Sequence, residues 1–114
     1  MLPRKARLQR SKNFDSVYKK GNCYSSKDLL LYVLPNNLPY PRCGFSISKK
    51  VSKKAVERNK LKRCLSSIFR EESKEIKEGV DVIFVARKNL LNLSFLELKA
   101  SLRNLLEKAK LYTV

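Results

Sequence analysis

Between Lys49 and Arg63, eight of fifteen residues are lysine or arginine, and the single acid is Glu57. The same segment runs into apolar residues at helical spacing. At roughly 100° per residue, Leu61, Leu65 and Ile68 fall on one face, with Cys64 and Phe69 beside them. The spacing predicts a helix from about Lys54 to Lys77, stopped by Gly79. Opposite the leucines, Asn59, Arg63, Ser66 and Arg70 stand at i, i+4, i+7 and i+11, while Arg58 and Lys62 share one rim. Such a helix buries one face in a core and presents the other to an anionic partner. Arginine grips phosphate through a bidentate fork, lysine acts as a point charge, and asparagine bonds a base edge or ribose. Taken alone, this pattern points to RNA or DNA without choosing between them.

The charge distribution supports that reading. The chain of 114 residues carries a formal charge of +16. Residues 1–20 hold seven bases and one acid, and residues 42–63 hold nine bases and one acid. Between them, residues 21–41 are balanced by Lys27 and Asp28, and the last 51 residues are net +2. Charge placed for solubility is interspersed with acids. Charge gathered in two blocks suggests one long nucleic-acid track or two distinct surfaces.

Composition also excludes chemistry. With no histidine, the chain has no Ser–His or Cys–His nucleophile pair and no imidazole base or metal ligand. Cys23, Cys43 and Cys64 lack C-x-x-C spacing, so zinc is not expected, and the three are read as reduced thiols, core or half-buried. Glu71, Glu72, Glu75, Glu78 and Asp81 are read as balancing Lys74 and Lys77 on a solvated helix end rather than as a metal site. The basic N-terminus carries no export signal, and the longest strongly apolar run, Leu29 to Leu34, is far short of a membrane span. A cytoplasmic location is therefore expected, with no membrane partner.

The remaining pattern predicts an α+β domain. Phe14, Val17 and Tyr18 mark a short helix from about Asn13 to Lys20, capped by Ser11 or Asn13 and ended by Gly21. Lys27 to Leu34 reads as a strand, with Asn22 to Ser26 as a short partner. Cys43 to Ser48 alternates as a half-buried strand, and Val80 to Ala86 is a strongly apolar one. Ser94 and Glu97 form a capping box opening a last helix, whose buried stripe is Phe95, Leu98, Leu102, Leu105 and Ala109. The order is α-β-β-β-α-β-α, a two-layer sandwich in one domain spanning 1–114, with residues 1–12 expected to be a flexible basic segment.

The strand Gly44-Phe45-Ser46-Ile47-Ser48-Lys49-Lys50, followed by Glu57-Arg58-Asn59-Lys60-Leu61-Lys62-Arg63, resembles the bacterial ribonuclease P protein component. That family carries an Arg-Asn-Arg signature followed by an apolar residue, Lys and Arg. Leu8, the Asn13-Phe14 helix start, the strand containing Val33, the run Val82 to Arg87 and the final helix fall in family order. The resemblance implies a small four-stranded sheet with a left-handed β-α-β crossover, against the usual right-handed rule. It implies a protein subunit of ribonuclease P that binds a catalytic RNA and the 5′ leader of precursor tRNA, with no obligate protein partner. The RNA then carries the Mg²⁺-dependent removal of the leader, and no residue of the protein is catalytic.

By the same resemblance, Lys53, Lys54, Arg58, Asn59, Lys60, Lys62 and Arg63 face the catalytic RNA. Phe14, Tyr18, Tyr32, Lys12, Ser46, Ser48 and Lys49 face the leader. Lys60 departs from the usual Arg, keeping the charge but losing the fork. Tyr18 stands where the family often has Phe, keeping the ring. Aromatic faces stack on unpaired bases with little sequence preference, which suits variable leaders. Physics alone leaves Phe14 open as either core or cleft. The charge by itself fits a small RNA-binding module of the ribosomal kind equally well.

Overall fold

A computed structural model of the protein describes residues 6–8, 11–77 and 79–113, with backbone only at residues 11 and 12. In chain order the elements are α1 (Ser11–Lys20), β1 (Asn22–Ser25), β2 (Leu29–Pro35), β3 (Arg42–Ser46), α2 (Ala55–Glu72), β4 (Val80–Ala86) and α3 (Phe95–Lys108). Short 3-10 turns at Ser73–Glu75 and Lys88–Asn92 flank β4. The sheet order is β1-β2-β4-β3. β1 and β2 pair antiparallel, as do β2 and β4, while β3 and β4 pair parallel. The fold is the expected α+β arrangement, with α2 as the crossover between parallel neighbours.

Alternation in β2 and β4 divides the core. Leu29, Leu31, Val82 and Phe84 point to one face, where they pack with Leu61, Leu65, Ile68 and Phe69 of α2 and Leu98, Leu102, Leu105 and Leu106 of α3. Phe84 sits between two rings, stacked on Phe45 at 5.8 Å and edge-on to Phe69 at 6.0 Å. Ile83 points to the other face, where Val17 and Leu8 cover it and Phe14, Tyr32, Leu34 and Val85 pack around. Because both faces of β4 are covered, its sequence Val80-Asp81-Val82-Ile83-Phe84-Val85-Ala86 is nearly continuous in apolar residues. Each fully buried Leu or Phe contributes about 1.5–3 kcal/mol.

Several expectations are corrected. Ser11 and Asn13 lie within α1, not ahead of it as caps. The helix after the basic loop ends as an α-helix at Glu72 and tightens into the 3-10 turn, short of Lys77. Phe95 is 52% exposed, because it is the first residue after the Ser94 cap and precedes the turn that meets the sheet; Leu106 is fully buried instead. Ser66, placed on the outward stripe, is buried. Cys23 is exposed on the edge strand β1 rather than core or half-buried. Two of the five acids are not solvated at a helix end. Glu72 is buried and accepts from the Tyr112 hydroxyl at 2.6 Å, with Arg103 at 3.2 Å. Asp81 is buried and accepts from Arg42 Nε at 2.8 Å, Arg42 Nη2 at 2.7 Å and Asn36 Nδ2 at 2.7 Å. Glu78 lies outside the described residues.

Two further details position the site. Within the N-terminal segment, Arg7 bridges to Cys43 and the Leu8 N–H donates to the Cys43 carbonyl at 3.0 Å, lengthening the sheet beyond β3. Gly44 lets α1 approach: a Cβ there would lie 2.5 Å from Phe14 Cζ and 2.8 Å from Cε1. Gly44→Ala is therefore expected to displace the Phe14 ring and lower stability by about 1–3 kcal/mol, the usual range for overpacking. Denaturant melts check the loss, and the Phe14 ring resonances should shift more than those of Phe84 on the opposite face. A variant as stable as the parent, with Phe14 unmoved, would contradict the close approach.

Candidate nucleic-acid interface

The basic loop and α2 present the first surface. Lys53 and Lys54 are exposed, and Lys54 is the N-cap residue with no side-chain cap bond. The loop is held from below. Ser52 is buried, its hydroxyl donates to Glu57 and accepts the Lys54 N–H at 3.2 Å. Arg58 Nη1 donates to the Ser52 carbonyl at 2.9 Å. Arg58 is thus partly committed to shaping the loop, a role its place in the signature does not reveal.

The rest of the signature divides between two sides of the helix. Asn59, Lys62 and Arg63 are exposed and line a cleft toward β3, together with Ser66. Lys60 is exposed on the other side, beside Glu57 and Cys64 in a groove facing α3. Burial raises the Cys64 thiol above its ordinary value, and the Lys60 charge partly offsets the rise. The loss of the guanidinium fork at position 60 therefore falls on the side away from the three clustered groups. Arg42, counted in the second basic block, is spent on Asp81 and is not available as a free cation.

The second surface lies where α1 crosses the sheet. Across the strands, Cys23, Tyr32, Ile83 and Gly44 are in register, a row spanning about 14 Å at normal strand spacing. α1 lays Phe14 and Tyr18 over it. Phe14 and Tyr18 have ring centroids 6.4 Å apart, and Tyr18 meets Tyr32 edge-on at 5.0 Å and 83°. Phe14 and Tyr32 are half-buried, while Tyr18 is 38% exposed. Phe14 belongs both to the small core under α1 and to the rim of the cleft toward α2. The Tyr32 phenol is raised above its ordinary value, first by the neighbouring Cys23 thiol and then by partial burial. It is therefore neutral and able to donate at physiological pH.

Ser46 lies in the next row of the same face, paired with Val85 and half-buried. Ser48 and Lys49 are exposed beyond the end of β3, where the Ser48 hydroxyl accepts the Lys50 N–H at 3.2 Å. Lys12 falls in α1, but its side chain is outside the described residues. Sequence reasoning missed Arg7, Gly44 and Cys23 as contributors. An isolated glycine inside an alternating strand is the one signal that could have pointed to the second of these.

The fold is an α+β domain with a cationic crossover helix, α2, and an aromatic cluster on the sheet face under α1. Comparison with known proteins narrows this. The ribonuclease P family model matches residues 2–110. The ribonuclease P protein component of Alkaliphilus oremlandii is 37% identical over 105 residues, covering 92% of this chain and 91% of the relative. That of Thermoanaerobacter sp. strain X514 is 40% identical over 106 residues, covering 93% and 90%. The solved ribonuclease P protein of Staphylococcus aureus superposes with a TM-score of 0.87 at 30% identity, covering 95% of this chain and 98% of that one. The Thermotoga maritima protein gives 0.82 at 30% identity, covering 90% and 96%. The chain belongs to the ribonuclease P protein family, the protein subunit of the ribonucleoprotein that processes tRNA 5′ ends.

The division of the signature makes a prediction. Arg63→Ala is expected to weaken binding to the catalytic RNA and to reduce the slope of log K against log salt by about one unit per lost phosphate contact. Arg58→Ala is expected to do the same and also to lower the melting temperature, since it releases the Ser52 carbonyl. Filter binding across a salt series and a thermal melt separate the two; an unchanged slope for Arg63→Ala would mean that its side chain meets only solvent.

Proposed function

We propose that the chain binds the catalytic RNA of ribonuclease P through the basic loop and α2, and holds the single-stranded 5′ leader of precursor tRNA against the aromatic face under α1. The observation that carries this reading is the pairing of two unlike surfaces on either side of β3. One is cationic, built by Asn59, Lys62 and Arg63, with Lys53 and Lys54 at the loop. The other is aromatic, built by Phe14, Tyr18 and Tyr32, with Ser46, Ser48 and Lys49 continuing toward the loop. Cations suit a structured RNA backbone, and exposed rings suit unpaired bases, each worth about 1–3 kcal/mol.

In this reading Mg²⁺ belongs to the catalytic RNA and its substrate. Two of the buried carboxylates are already engaged, Asp81 by Arg42 and Asn36, Glu72 by Tyr112 and Arg103, while Asp28 Oδ1 is buried without a partner. Among the described residues no group of three or more His, Cys, Asp or Glu is placed to hold a metal. The protein's contribution is to position substrate and to screen the repulsion between two polyanions. Among the described residues no helix is long and apolar enough to cross a membrane.

The test is reconstitution. The chain alone is expected to leave precursor tRNA intact, yet to restore cleavage by the catalytic RNA at low Mg²⁺. No stimulation anywhere in a Mg²⁺ titration would sink the proposal. Tyr32→Ala is expected to spare assembly while weakening precursor over mature tRNA by about 1–3 kcal/mol, the worth of one stacked base. Equal affinities for precursor and mature tRNA in the parent complex would favour a general RNA-binding module instead.

A further inference from the structure

α2 and the start of α3 enclose a groove of about 370 Å³ on the side of α2 turned away from Asn59, Lys62 and Arg63. Buried Leu61 and Leu98 and half-buried Cys64 and Leu93 line it, with Leu91 and Phe95 exposed at its mouth. Five large hydrophobic side chains are exposed among the described residues, and four of them stand in or beside this groove. Leu91 and Phe95 line it, Val56 precedes Glu57 of its wall, and Leu96 follows Phe95. Single apolar residues scattered over a surface are ordinary, whereas a gathered apolar patch with a polar rim marks contact with another protein. The rim is cationic. Lys60 lines the groove, and Lys99 stands one helical turn beyond Phe95. Neither lysine forms an ion pair among the described residues. The two nearby acids are already engaged, Glu57 by the Ser52 hydroxyl and Glu97 by the Ser94 N–H.

We propose that this groove docks an amphipathic helix of a partner protein, its apolar stripe on Phe95, Leu91 and Val56 and its acidic residues toward Lys60 and Lys99. A helix laid in a groove is recognised by apolar anchors at i, i+3, i+4 and i+7 against a hydrophobic trough, while charge at the rim sets its orientation. Nucleic acid is the poorer match. Val56, Leu91 and Leu96 are aliphatic and give a base no ring to stack on, and phosphates beside them would lose water without gaining a partner. A second copy of this chain is also the poorer match. It would bring Lys53, Lys54 and Lys60 against their own counterparts, at a formal charge of +16 per chain. The docking does not rest on the RNA-facing side of α2, and it gives Lys60, which faces α3, a partner of its own.

The probe is a synthetic helical peptide with leucines at i, i+3, i+4 and i+7 flanked by glutamates. Titrated into the isotope-labelled full chain, it is expected to give saturable amide shifts at Cys64, Leu91, Phe95 and Lys99 while Phe14 and Tyr32 stay unmoved. A peptide of the same composition, its leucines dispersed around the helix, is expected not to saturate. Equal binding of the two peptides overturns the proposal. The same shifts produced by oligouridylate overturn it in favour of RNA, and shifts that grow with protein concentration without peptide overturn it in favour of self-association. Phe95→Ala is expected to weaken the peptide by about tenfold, as loss of a central anchor does. Lys99→Glu tests the charge without removing a buried anchor, should Phe95→Ala melt. It is expected to weaken the glutamate peptide and to strengthen one carrying lysines in their place, and unchanged affinity for both refutes the cationic rim. Peptide binding is expected to persist when the chain is assembled with the catalytic RNA of ribonuclease P. Loss of binding on assembly would mean that RNA covers the groove, and refutes the docking.

Discussion

Asp81, buried near the start of β4, accepts both Nε and Nη2 of Arg42 on β3, and the two residues are partners in the strand register. Asn36, on the loop between β2 and β3, donates to the same carboxylate. This cluster ties together β2, β3 and β4 at one end of the sheet. A buried ion pair is weak evidence of net stability, because desolvation offsets much of the Coulomb gain. Its consequence here is register. A slip of one residue would leave Asp81 without its fork and would turn Gly44 away from Phe14. Everything at the interface follows from that alignment: Gly44 opposite Ile83, Tyr32 in the same row, and α1 seated over them.

The same alignment explains how a chain of charge +16 holds a cationic helix beside a compact core. α2 is anchored by Leu61, Leu65, Ile68 and Phe69, all buried, which together contribute far more than the repulsion among side chains facing high-dielectric solvent. The charges themselves are dispersed. Arg42 is paired with buried Asp81, Arg58 turns into the loop, Lys60 faces the α3 side, and Lys62 and Arg63 converge with Arg7 on one cleft. A linear count of bases overstates the density of free charge at any one point on the surface.

Much of this was legible in the sequence. β4 was found from Val80 to Ala86 because it is apolar on both faces, and the Ser94–Glu97 box appears with both of its hydrogen bonds, 3.2 Å and 3.0 Å. Periodicity located the buried face of α2 because a single stripe meets a single core. It failed where a side chain's fate depends on what lies across from it. Ser66 is buried by the neighbourhood of β3, and Phe95 is exposed by its place at the first turn of α3. Glu72 and Asp81 look like surface acids until Tyr112, Arg103 and Arg42 arrive from positions 31 to 40 residues away in sequence. Spacing along a helix says which residues share a face, and only tertiary contact says what that face meets.

The two surfaces are set apart by chemistry as much as by position. Rings on the sheet face offer stacking that tolerates any base, whereas guanidinium and ammonium groups on α2 offer contacts whose strength falls with salt. Two of the buried carboxylates, Asp81 and Glu72, are paired with Arg42 and Arg103. Phe14 of the aromatic cluster packs on Gly44 of β3 and lines one cleft with Lys62 and Arg63 of α2. A displacement of α1 therefore acts on both at once. The aromatic face and the cationic helix are joined through one ring packed on one glycine, so a change at either residue is felt on both.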